Sequence, residues 1–217
     1  MTVSPYIAFV LLNELQGSIP KVLDCGCGSG NYIALLEEHG VEAYGIDISE
    51  QAAKTSKQIL GSATVLPVKN ESLDAAISIH MIEHLPPKDV SKFLGEARRV
   101  LKHQGLLFLA TPNTYSLMRI VLRRKWYGHR DSTHINLFNP IKLRKEVEKN
   151  GFDKIRTTFK LPILLVEKSS DKWTLPYYGL HRLFHICHWM QDLFMYLMVS
   201  TPLANIRDTT WLVAQKC

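Results

Sequence analysis

Three glycines, Gly26, Gly28 and Gly30, stand at alternate positions directly after the apolar run Val22 to Asp24. Glycine has no Cβ, so such a loop can turn sharply and bring its backbone close to a ligand. A dinucleotide fingerprint needs its third glycine one position later, where this chain has Asn31. A phosphate-binding P-loop needs a lysine, which this loop lacks. The spacing therefore predicts a ligand-binding loop of another kind.

A second group with chemical potential is His80, Glu83 and His84, which form the pattern His-x-x-Glu-His. In inverted zinc peptidases this pattern lies within a helix and supplies metal ligands. Here it follows an apolar run and is soon followed by Pro86 and Pro87, so we expect a loop at the end of a strand. The zinc peptidase interpretation is therefore disfavoured.

Alternating strands and helices are predicted to position these residues. The predicted strands are 21–24, 41–48, 63–68, 73–79 and 105–110, and the predicted helices are 31–39, 49–60 and 88–102. This alternation indicates a doubly wound, mostly parallel α/β sheet with helices on both faces. Such sheets bind ligands at the carboxyl ends of their strands. Functional residues are expected just after Leu23, Ile46, Ile79 and Ala110.

The run Asp24-x-Gly26-x-Gly28-x-Gly30 resembles the cofactor loop of class I S-adenosylmethionine-dependent methyltransferases. Further matching pieces are Tyr44 to Ser49, Leu66-Pro67, Leu73-Asp74, Ile82 to Leu85, Thr111 to Asn113, Thr133 to Phe138 and Asn150 to Phe152. Together they cover about residues 21–160, with a last strand near 209–216. The resemblance implies a Rossmann-like methyltransferase sheet whose last strand is antiparallel. It also implies S-adenosylmethionine as cofactor and S-adenosylhomocysteine as product.

The resemblance assigns cofactor contacts to residues at the strand ends. Asp47 would accept the ribose hydroxyls, Asp24 would lie near the α-amino group, and Ile48 would pack on the adenine face. The other expected cofactor contacts are Gly26, Cys27, Gly28, Gly30 and His80.

The adenine end of the expected site departs from the family. Where the family usually has an aspartate for the adenine amino group, this chain has Ser62, followed by Ala63. A serine side chain is shorter and neutral, so we expect it to hold adenine less firmly. The backbone at Ala63 is the alternative source of recognition.

The expected catalytic residues are His84, His134 and Glu83. Methyl transfer from a sulfonium needs mainly positioning, but a hydroxyl acceptor must also lose its proton, a task that suits histidine. Each histidine also fits a purely structural role. In quinone-biosynthesis O-methyltransferases, which this stretch resembles, a cluster of acidic residues and histidine here can hold a divalent metal. Its first carboxylate is replaced by His80, so a metal is not favoured.

The composition bounds the environment of the protein. The 217 residues include 26 basic and 20 acidic ones, and the net charge of +6 favours an anionic partner without identifying it. Four unevenly spaced cysteines do not form a disulfide framework, and Cys25 and Cys27 are predicted to be small packing residues. The apolar run 6–12 lacks the features of a signal peptide. A cytoplasmic location, with peripheral contact to the inner membrane face as an option, is therefore expected.

A basic and aromatic segment follows the fifth predicted strand. Five basic residues fall between Arg119 and Arg130, beside Trp126 and Tyr127. Three interpretations remain open: a solvated helix end, docking to an anionic membrane with the aromatics at the interface, or stacking on RNA. The lipid headgroup is favoured, and nucleic acid is not expected as a partner.

The stretch 162–208 is longer than the connection that this fold needs, which indicates a functional insertion. Its centre, 177–199, is predicted to be helical, with His181, His185, His188 and Asp192 on one stripe. A cap over the acceptor site, a dimer face and an in-plane membrane helix all fit. A membrane-spanning helix is not expected, because polar residues interrupt the run.

The sequence therefore predicts one methyltransferase domain over 1–217 that acts on a small, lipophilic or membrane-derived acceptor, with oxygen favoured. Its predicted parts are a cofactor half (21–111), an acceptor-side loop (112–140), a helical cap insertion (162–208) and a last strand (209–216). The alternatives are a non-catalytic, membrane-associated scaffold with this fold and an RNA-directed methyltransferase.

Overall fold

Seven strands form one sheet in the computed structural model, which describes residues 5–15, 20–50, 55–157 and 209–217. They are β1 (Lys21–Cys25), β2 (Glu42–Asp47), β3 (Gln58–Leu60), β4 (Leu73–Ile79), β5 (Leu101–Pro112), β6 (Phe152–Arg156) and β7 (Thr209–Lys216). Their order in the sheet is β3-β2-β1-β4-β5-β7-β6. The first five strands pair in parallel, whereas β7 runs antiparallel to both β5 and β6. The predicted doubly wound, mostly parallel sheet with an antiparallel last strand is confirmed.

The described helices are α1 (Pro5–Glu14), α2 (Asn31–Glu38), α3 (Pro87–Val100), α4 (Leu117–Leu122), α5 (Tyr127–Arg130) and α6 (Pro140–Lys149). Short 3₁₀ helices cover Ile82–His84 and Arg123–Lys125. Local sequence explains several helix ends. Gly40, with a φ of 79°, follows α2 in the left-handed conformation that ends many helices. The side chain of Asn139 caps α6 by accepting a hydrogen bond from the Lys142 amide at 2.8 Å.

Helices cover both faces of the sheet. On one face the buried side chains of α3 and α6 include Phe93, Leu94, Leu143 and Val147. On the other face the buried side chains of α1 and α2 include Leu11, Ile33 and Leu36. Each such residue stabilises the fold by about 1.5–3 kcal/mol relative to an exposed position. With both faces covered, the carboxyl edge of the sheet is where a ligand can reach the strands.

The third strand was predicted at the wrong place. The predicted strand 63–68 is a loop, and β3 instead covers Gln58–Leu60, where the predicted second helix was expected to end. The backbone of β3 pairs with Gly45 to Asp47 of β2. Beyond it, the Ser62 hydroxyl accepts a hydrogen bond from the Thr64 amide at 3.2 Å, a local turn that competes with strand pairing. The β-rich composition of 63–68 therefore did not decide its structure.

The sheet order reverses between β1 and β4, which places the loops after these two strands side by side. The loop after β1 carries the three glycines, and the loop after β4 carries His80, Glu83 and His84. The predicted insertion 162–208, with its 177–199 helix and histidine stripe, lies outside the described residues. Among the residues that are described, no helix combines the length and the apolarity needed to cross a bilayer.

Candidate cofactor and acceptor site

The glycine loop presents its backbone to open space at one position. Gly26, Gly28 and Gly30 all have left-handed φ values, of 80°, 49° and 79°, which side chains with a Cβ rarely adopt. A Cβ on Gly26 would lie 2.5 Å from the Cγ of Met81, so Gly26 is packed against the chain. A Cβ on Gly28 would meet no atom within 4 Å. Gly28 is therefore the position where a ligand can approach the loop backbone.

Asp47, the last residue of β2, ties the glycine loop to the loop that follows β2. One carboxylate oxygen accepts a hydrogen bond from the Gly28 amide at 2.9 Å, and the other accepts one from the Ser49 amide at 2.9 Å. An ionised carboxylate has about four acceptor positions. Both oxygens of Asp47 therefore retain capacity for the two ribose hydroxyls that the family resemblance assigns to this residue.

Asp24 is a buried carboxyl group next to a second one. Its exposed fraction is only 3%. Burial, and to a smaller extent the nearby carboxylate of Asp47, raises the pKa of Asp24 to about 7. A cation placed beside it would stabilise the ionised form and lower that pKa again. This environment fits the amino group that the resemblance puts next to Asp24.

The two cysteines of the loop are buried thiols that form no disulfide. Burial raises the pKa of Cys27 to about 11, although a hydrogen bond from Gln58 acts in the opposite direction. Burial also holds the pKa of Cys25 far above its ordinary value, with Asp24 adding to the effect. Thiols that stay protonated act as small packing groups, which is the role the sequence predicts for them.

Gln58 supports the loop, and sequence reasoning missed it. Its side-chain amide donates to the Gly28 carbonyl at 3.1 Å. A Cβ on Gly30 would lie 2.9 Å from the same side-chain nitrogen, so the loop and Gln58 are closely packed. The contact depends on the pairing of β3 with β2, and no short motif in the sequence marks that pairing.

The adenine side of the expected site is apolar and open. Ile48, just after β2, is 79% exposed, and Leu60 and Val65 are exposed as well. Large exposed apolar side chains at the carboxyl edge of a sheet are candidates for ligand contact. The hydroxyl of Ser62 shares a 2.8 Å hydrogen bond with the Thr64 hydroxyl. The neighbouring Ala63 is buried. The Ser62 hydroxyl thus already has a local partner.

His80 and Glu83 contact each other at the carboxyl end of β4. His80 has a φ of 55°, an uncommon conformation for a residue other than glycine, and its Nδ1 lies 3.2 Å from Oε1 of Glu83. Glu83 is fully buried, and its Oε2 accepts a hydrogen bond from the Thr111 hydroxyl at 3.0 Å. With both carboxylate oxygens engaged, Glu83 fits a positioning role better than direct contact with an acceptor.

His84 and His134 are brought together from distant parts of the chain. Their ring centroids are 4.8 Å apart. Nδ1 of His134 lies 3.0 Å from the Gly128 carbonyl oxygen, and its Nε2 lies 4.0 Å from Oε1 of Glu83. Nδ1 of His84 contacts Thr133, which the sequence had marked only as part of the matching run 133–138. The two expected bases therefore share one site with Glu83.

Glu83, His84 and His134 form a candidate group for a metal ion among the described residues. One ligand atom from each lies within 4.8 Å of the other two. Nitrogen and oxygen ligands lie about 2.0–2.6 Å from the divalent ions that proteins bind, so ligands on opposite sides of an ion are about 4–5 Å apart. The spacing of the three side chains is therefore compatible with a divalent metal.

In the basic segment 119–130, the structure differs from the prediction in the placement of Trp126. Trp126, expected at an interface, is fully buried, and its ring contacts His129. Arg119, Arg123, Arg124, Lys125 and Arg130 are exposed. The indole ring packs against neighbouring residues, since a Cβ on Gly128 would lie 2.2 Å from it. Trp126 therefore holds the segment in place rather than presenting an aromatic surface.

Comparison with known proteins identifies the family. A family model described as "Methyltransferase domain" matches residues 4–157. The chain belongs to the methyltransferase family. It is 31% identical to the ubiquinone biosynthesis O-methyltransferase of Idiomarina loihiensis over 106 residues, which cover 43% of this chain and 42% of that protein. The chain spans about two fifths of the length of this protein and of two uncharacterised relatives from Methanocaldococcus jannaschii.

Solved structures confirm the methyltransferase fold. A SAM-dependent methyltransferase from Archaeoglobus fulgidus matches with a TM-score of 0.65 and 20% identity, covering 97% of this chain and 93% of that one. Phosphoethanolamine N-methyltransferase 2 of Haemonchus contortus, solved with S-adenosyl-L-methionine, matches with a TM-score of 0.58 and 16% identity, over 98% and 53% of the two chains. The Rossmann-like fold and the family predicted from the glycine loop are both confirmed.

The Asp24→Asn variant tests the buried carboxyl. Because the folded-state pKa is raised above the unfolded value, the folded protein holds a proton between about pH 4 and pH 7 that the unfolded chain loses. The contribution of Asp24 to stability therefore falls as pH rises through this window. We expect the stability of the ligand-free Asn variant relative to the wild type to increase by about 2–3 kcal/mol between pH 5 and pH 8, because the wild type loses stability over this part of the window.

Urea unfolding of both proteins at the two pH values measures this difference. The conservative variant Asp74→Asn serves as a control, because the pKa of Asp74 is lowered and its carboxylate is paired with Lys102. A wild type that gains stability relative to Asp24→Asn between pH 5 and pH 8 would contradict the prediction.

Proposed function

We propose that this methyltransferase binds S-adenosylmethionine in the glycine loop and transfers its methyl group to a small, lipophilic acceptor, at oxygen in preference to nitrogen or carbon. The observation that supports the cofactor most directly is the open approach to Gly28 beside the Asp47 carboxylate. The Haemonchus contortus enzyme of the same fold was solved with this cofactor. The Idiomarina loihiensis relative is an O-methyltransferase by name.

The charges of the site suit a cationic ligand that carries a nucleoside. Asp24 is buried, and the nearby Asp47 carboxylate further disfavours its ionisation, so an ammonium group beside Asp24 would stabilise its charged form. Asp47 offers acceptors to the ribose, and the exposed side chain of Ile48 offers an apolar face to adenine. These residues bind opposite ends of one extended ligand.

Bound S-adenosylmethionine supplies an electrophilic methyl group, and the chain supplies position and a proton acceptor. The loop after β4 packs against the glycine loop through Met81, and it carries His84, whose ring lies 4.8 Å from that of His134. The acceptor is placed beside these two rings. A neutral histidine that takes a hydroxyl proton generates the oxygen nucleophile. Ile135 is 58% exposed, and its amide donates to the Glu83 carbonyl, so an apolar side chain flanks this position. That arrangement favours a lipophilic acceptor.

A basic, apolar surface next to the site supports an anionic membrane as the source of the acceptor. On α4 the side chains of Leu117, Ile120 and Val121 share one face and are 48%, 68% and 69% exposed. The exposed run 123–125 follows directly, and the stretch 113–130 contains no acidic residue. Cationic and aliphatic side chains together suit a lipid surface. Trp126 is buried, so its ring is not available to stack on RNA bases, and the RNA interpretation is disfavoured.

Two glycines in the same backbone conformation test the cofactor site. Gly28 and Gly40 both have positive φ, and a Cβ on either would meet no atom within 4 Å. Alanine at each position should cost about 1 kcal/mol of folding stability through backbone strain. Only Gly28→Ala should weaken S-adenosylmethionine binding, by about tenfold or more, because only its Cβ lies in the ligand path.

Calorimetric titration with S-adenosylmethionine measures the affinity of each variant. Asp47→Ala should lose about 10- to 100-fold, as expected for hydrogen bonds to a charged acceptor. If the wild type shows no binding, or if Gly28→Ala and Gly40→Ala bind equally well, the assigned cofactor site is wrong.

A transfer assay tests the acceptor. Labelled S-adenosylmethionine is offered with lipid, RNA and metabolite extracts, and the product is analysed for the atom that carries the label. We expect label in a lipophilic small molecule, as an alkali-stable ether or an ester on oxygen. His84→Gln should lower kcat on the order of 100-fold with cofactor affinity unchanged. Label in RNA, or on nitrogen or carbon, would contradict the acceptor assignment.

Flotation with vesicles tests the membrane surface. Removing the three positive charges at Arg123, Arg124 and Lys125 with serine should weaken binding to vesicles containing phosphatidylglycerol by about 100-fold, at roughly 1 kcal/mol per charge. The control removes the same charge from the exposed lysines Lys88, Lys145 and Lys149. Binding should fall with added salt and be weak on neutral vesicles. A wild type that stays unbound at low salt would rule out this docking mode.

A further inference from the structure

We infer that Asp131 and Thr133 are positioning residues that hold the side chain of His84 in the tautomer with hydrogen on Nδ1, leaving Nε2 as the proton acceptor. This inference rests on the proposed function for the statement that His84 acts as a base. The tautomer itself is a property of the chain alone and can be measured without any acceptor.

Two oxygen atoms of Thr133 converge on one ring nitrogen of His84. Nδ1 lies 3.1 Å from the Thr133 carbonyl oxygen and 2.9 Å from the Thr133 hydroxyl oxygen. A carbonyl oxygen can only accept a hydrogen bond. The first contact therefore requires a hydrogen on Nδ1, since an unprotonated nitrogen would face the carbonyl lone pairs.

Asp131 decides the direction of the second contact. Its Oδ1 lies 2.5 Å from the Thr133 hydroxyl oxygen and accepts the Thr133 amide at 2.9 Å. Asp131 accepts hydrogen bonds from the hydroxyl and, with a smaller effect, from the amide of Thr133, and both keep the pKa of Asp131 below its ordinary value. The ionised carboxylate can only accept hydrogen bonds. The hydroxyl must therefore donate to Asp131, and its oxygen is left to accept from Nδ1 of His84. Both Thr133 oxygens select the same tautomer.

The other nitrogen of His84 is available. Within the described residues, Nε2 of His84 has no hydrogen-bond partner. Among the described residues, the titratable groups around the ring are His134, at 4.8 Å between centroids, Asp131 through Thr133, and the preceding residue Glu83, which contacts His80. Asp131 also lies 3.7 Å from Nε2 of His134. His134 is held in the same way, with its Nδ1 3.0 Å from the Gly128 carbonyl. The chain thus fixes Nδ1 of both histidines to backbone carbonyls.

His84 is thus held by the carboxylate of Asp131 indirectly, through the hydroxyl and the backbone turn of Thr133. Asp131 contributes through geometry as well as charge, because its hydrogen bond to the Thr133 amide shapes the turn that presents both Thr133 oxygens. Removing the Asp131 carboxylate should therefore disturb the tautomer more than removing the Thr133 hydroxyl, which leaves the carbonyl in place. Neither residue has to touch the acceptor for this effect.

Nitrogen NMR of the full chain labelled with ¹⁵N in histidine reads the tautomer directly, because protonated and bare ring nitrogens resonate far apart. His84→Gln identifies the signals of His84. In the neutral ring we expect a protonated Nδ1 and a bare Nε2 in the wild type. Asp131→Ala should shift the signals towards a mixture of tautomers, whereas Asp131→Asn, which keeps the Oδ1 acceptor, should retain most of the wild-type pattern.

Kinetics with an acceptor found in the transfer assay provide the second measurement. Asp131→Ala should lower kcat by about tenfold with little change in KM for the cofactor, and the pH–rate profile should shift with it. Thr133→Val should lower kcat less, and Thr133→Ser, which keeps the hydroxyl, should restore it. The Thr133 pair keeps the test informative if Asp131→Ala does not fold.

The NMR and kinetic measurements distinguish a failure of the positioning role from a failure of the proposed base. A wild type with a bare Nδ1, or an Asp131→Ala variant with unchanged signals and unchanged kcat, overturns the positioning role. A wild-type tautomer as expected, together with His84→Gln at full activity, overturns the proposed base and leaves the tautomer assignment standing.

Discussion

The buried carboxylate of Glu83 joins three segments on which the site depends. Its side chain contacts His80 at the end of β4 and accepts from Thr111 at the end of β5. Its backbone carbonyl accepts the amides of Ile135 and Asn136, which lie some fifty residues further along the chain. An unpaired buried charge costs several kcal/mol, so the contacts of the Glu83 side chain with His80 and Thr111 stabilise its buried position. Its backbone carbonyl then helps to hold the segment that carries His134 beside His84.

The opposite half of the site is organised around a buried carboxyl group. The register of β1 and β2 pairs Asp24 with Gly45, two residues before Asp47, so the two acidic residues point to the same face of the sheet. Burial is the main cause that makes Asp24 costly to ionise, and the Asp47 charge adds to it. A cationic ligand removes that cost at the moment it binds. Loop shape and electrostatics therefore favour the same ligand, although they arise from different residues.

The sequence predicted the parts of this molecule that local patterns determine. Leu73–Ile79 is an apolar run and a strand, and the alternation of elements was sufficient to predict the parallel sheet and its carboxyl edge. The features that the sequence did not predict depend on contacts between residues far apart in the chain. Gln58 contacts the glycine loop only because β3 adds to the edge of the sheet, and the predicted strand 63–68 was wrong for the same reason. Trp126 looked like an interface residue because burial does not show in composition. The roles of Thr133 and Asp131 rest on hydrogen-bond direction, which residue types alone do not give.

The high pKa of Cys27 has a consequence for the chemistry beside it. A methyl donor is an alkylating agent, and a thiolate is the strongest nucleophile that a protein carries near neutral pH. With a pKa of about 11, only on the order of one Cys27 side chain in ten thousand is a thiolate at pH 7. Burial thus keeps the Cys27 thiol protonated and weakly nucleophilic towards a methyl donor bound beside it.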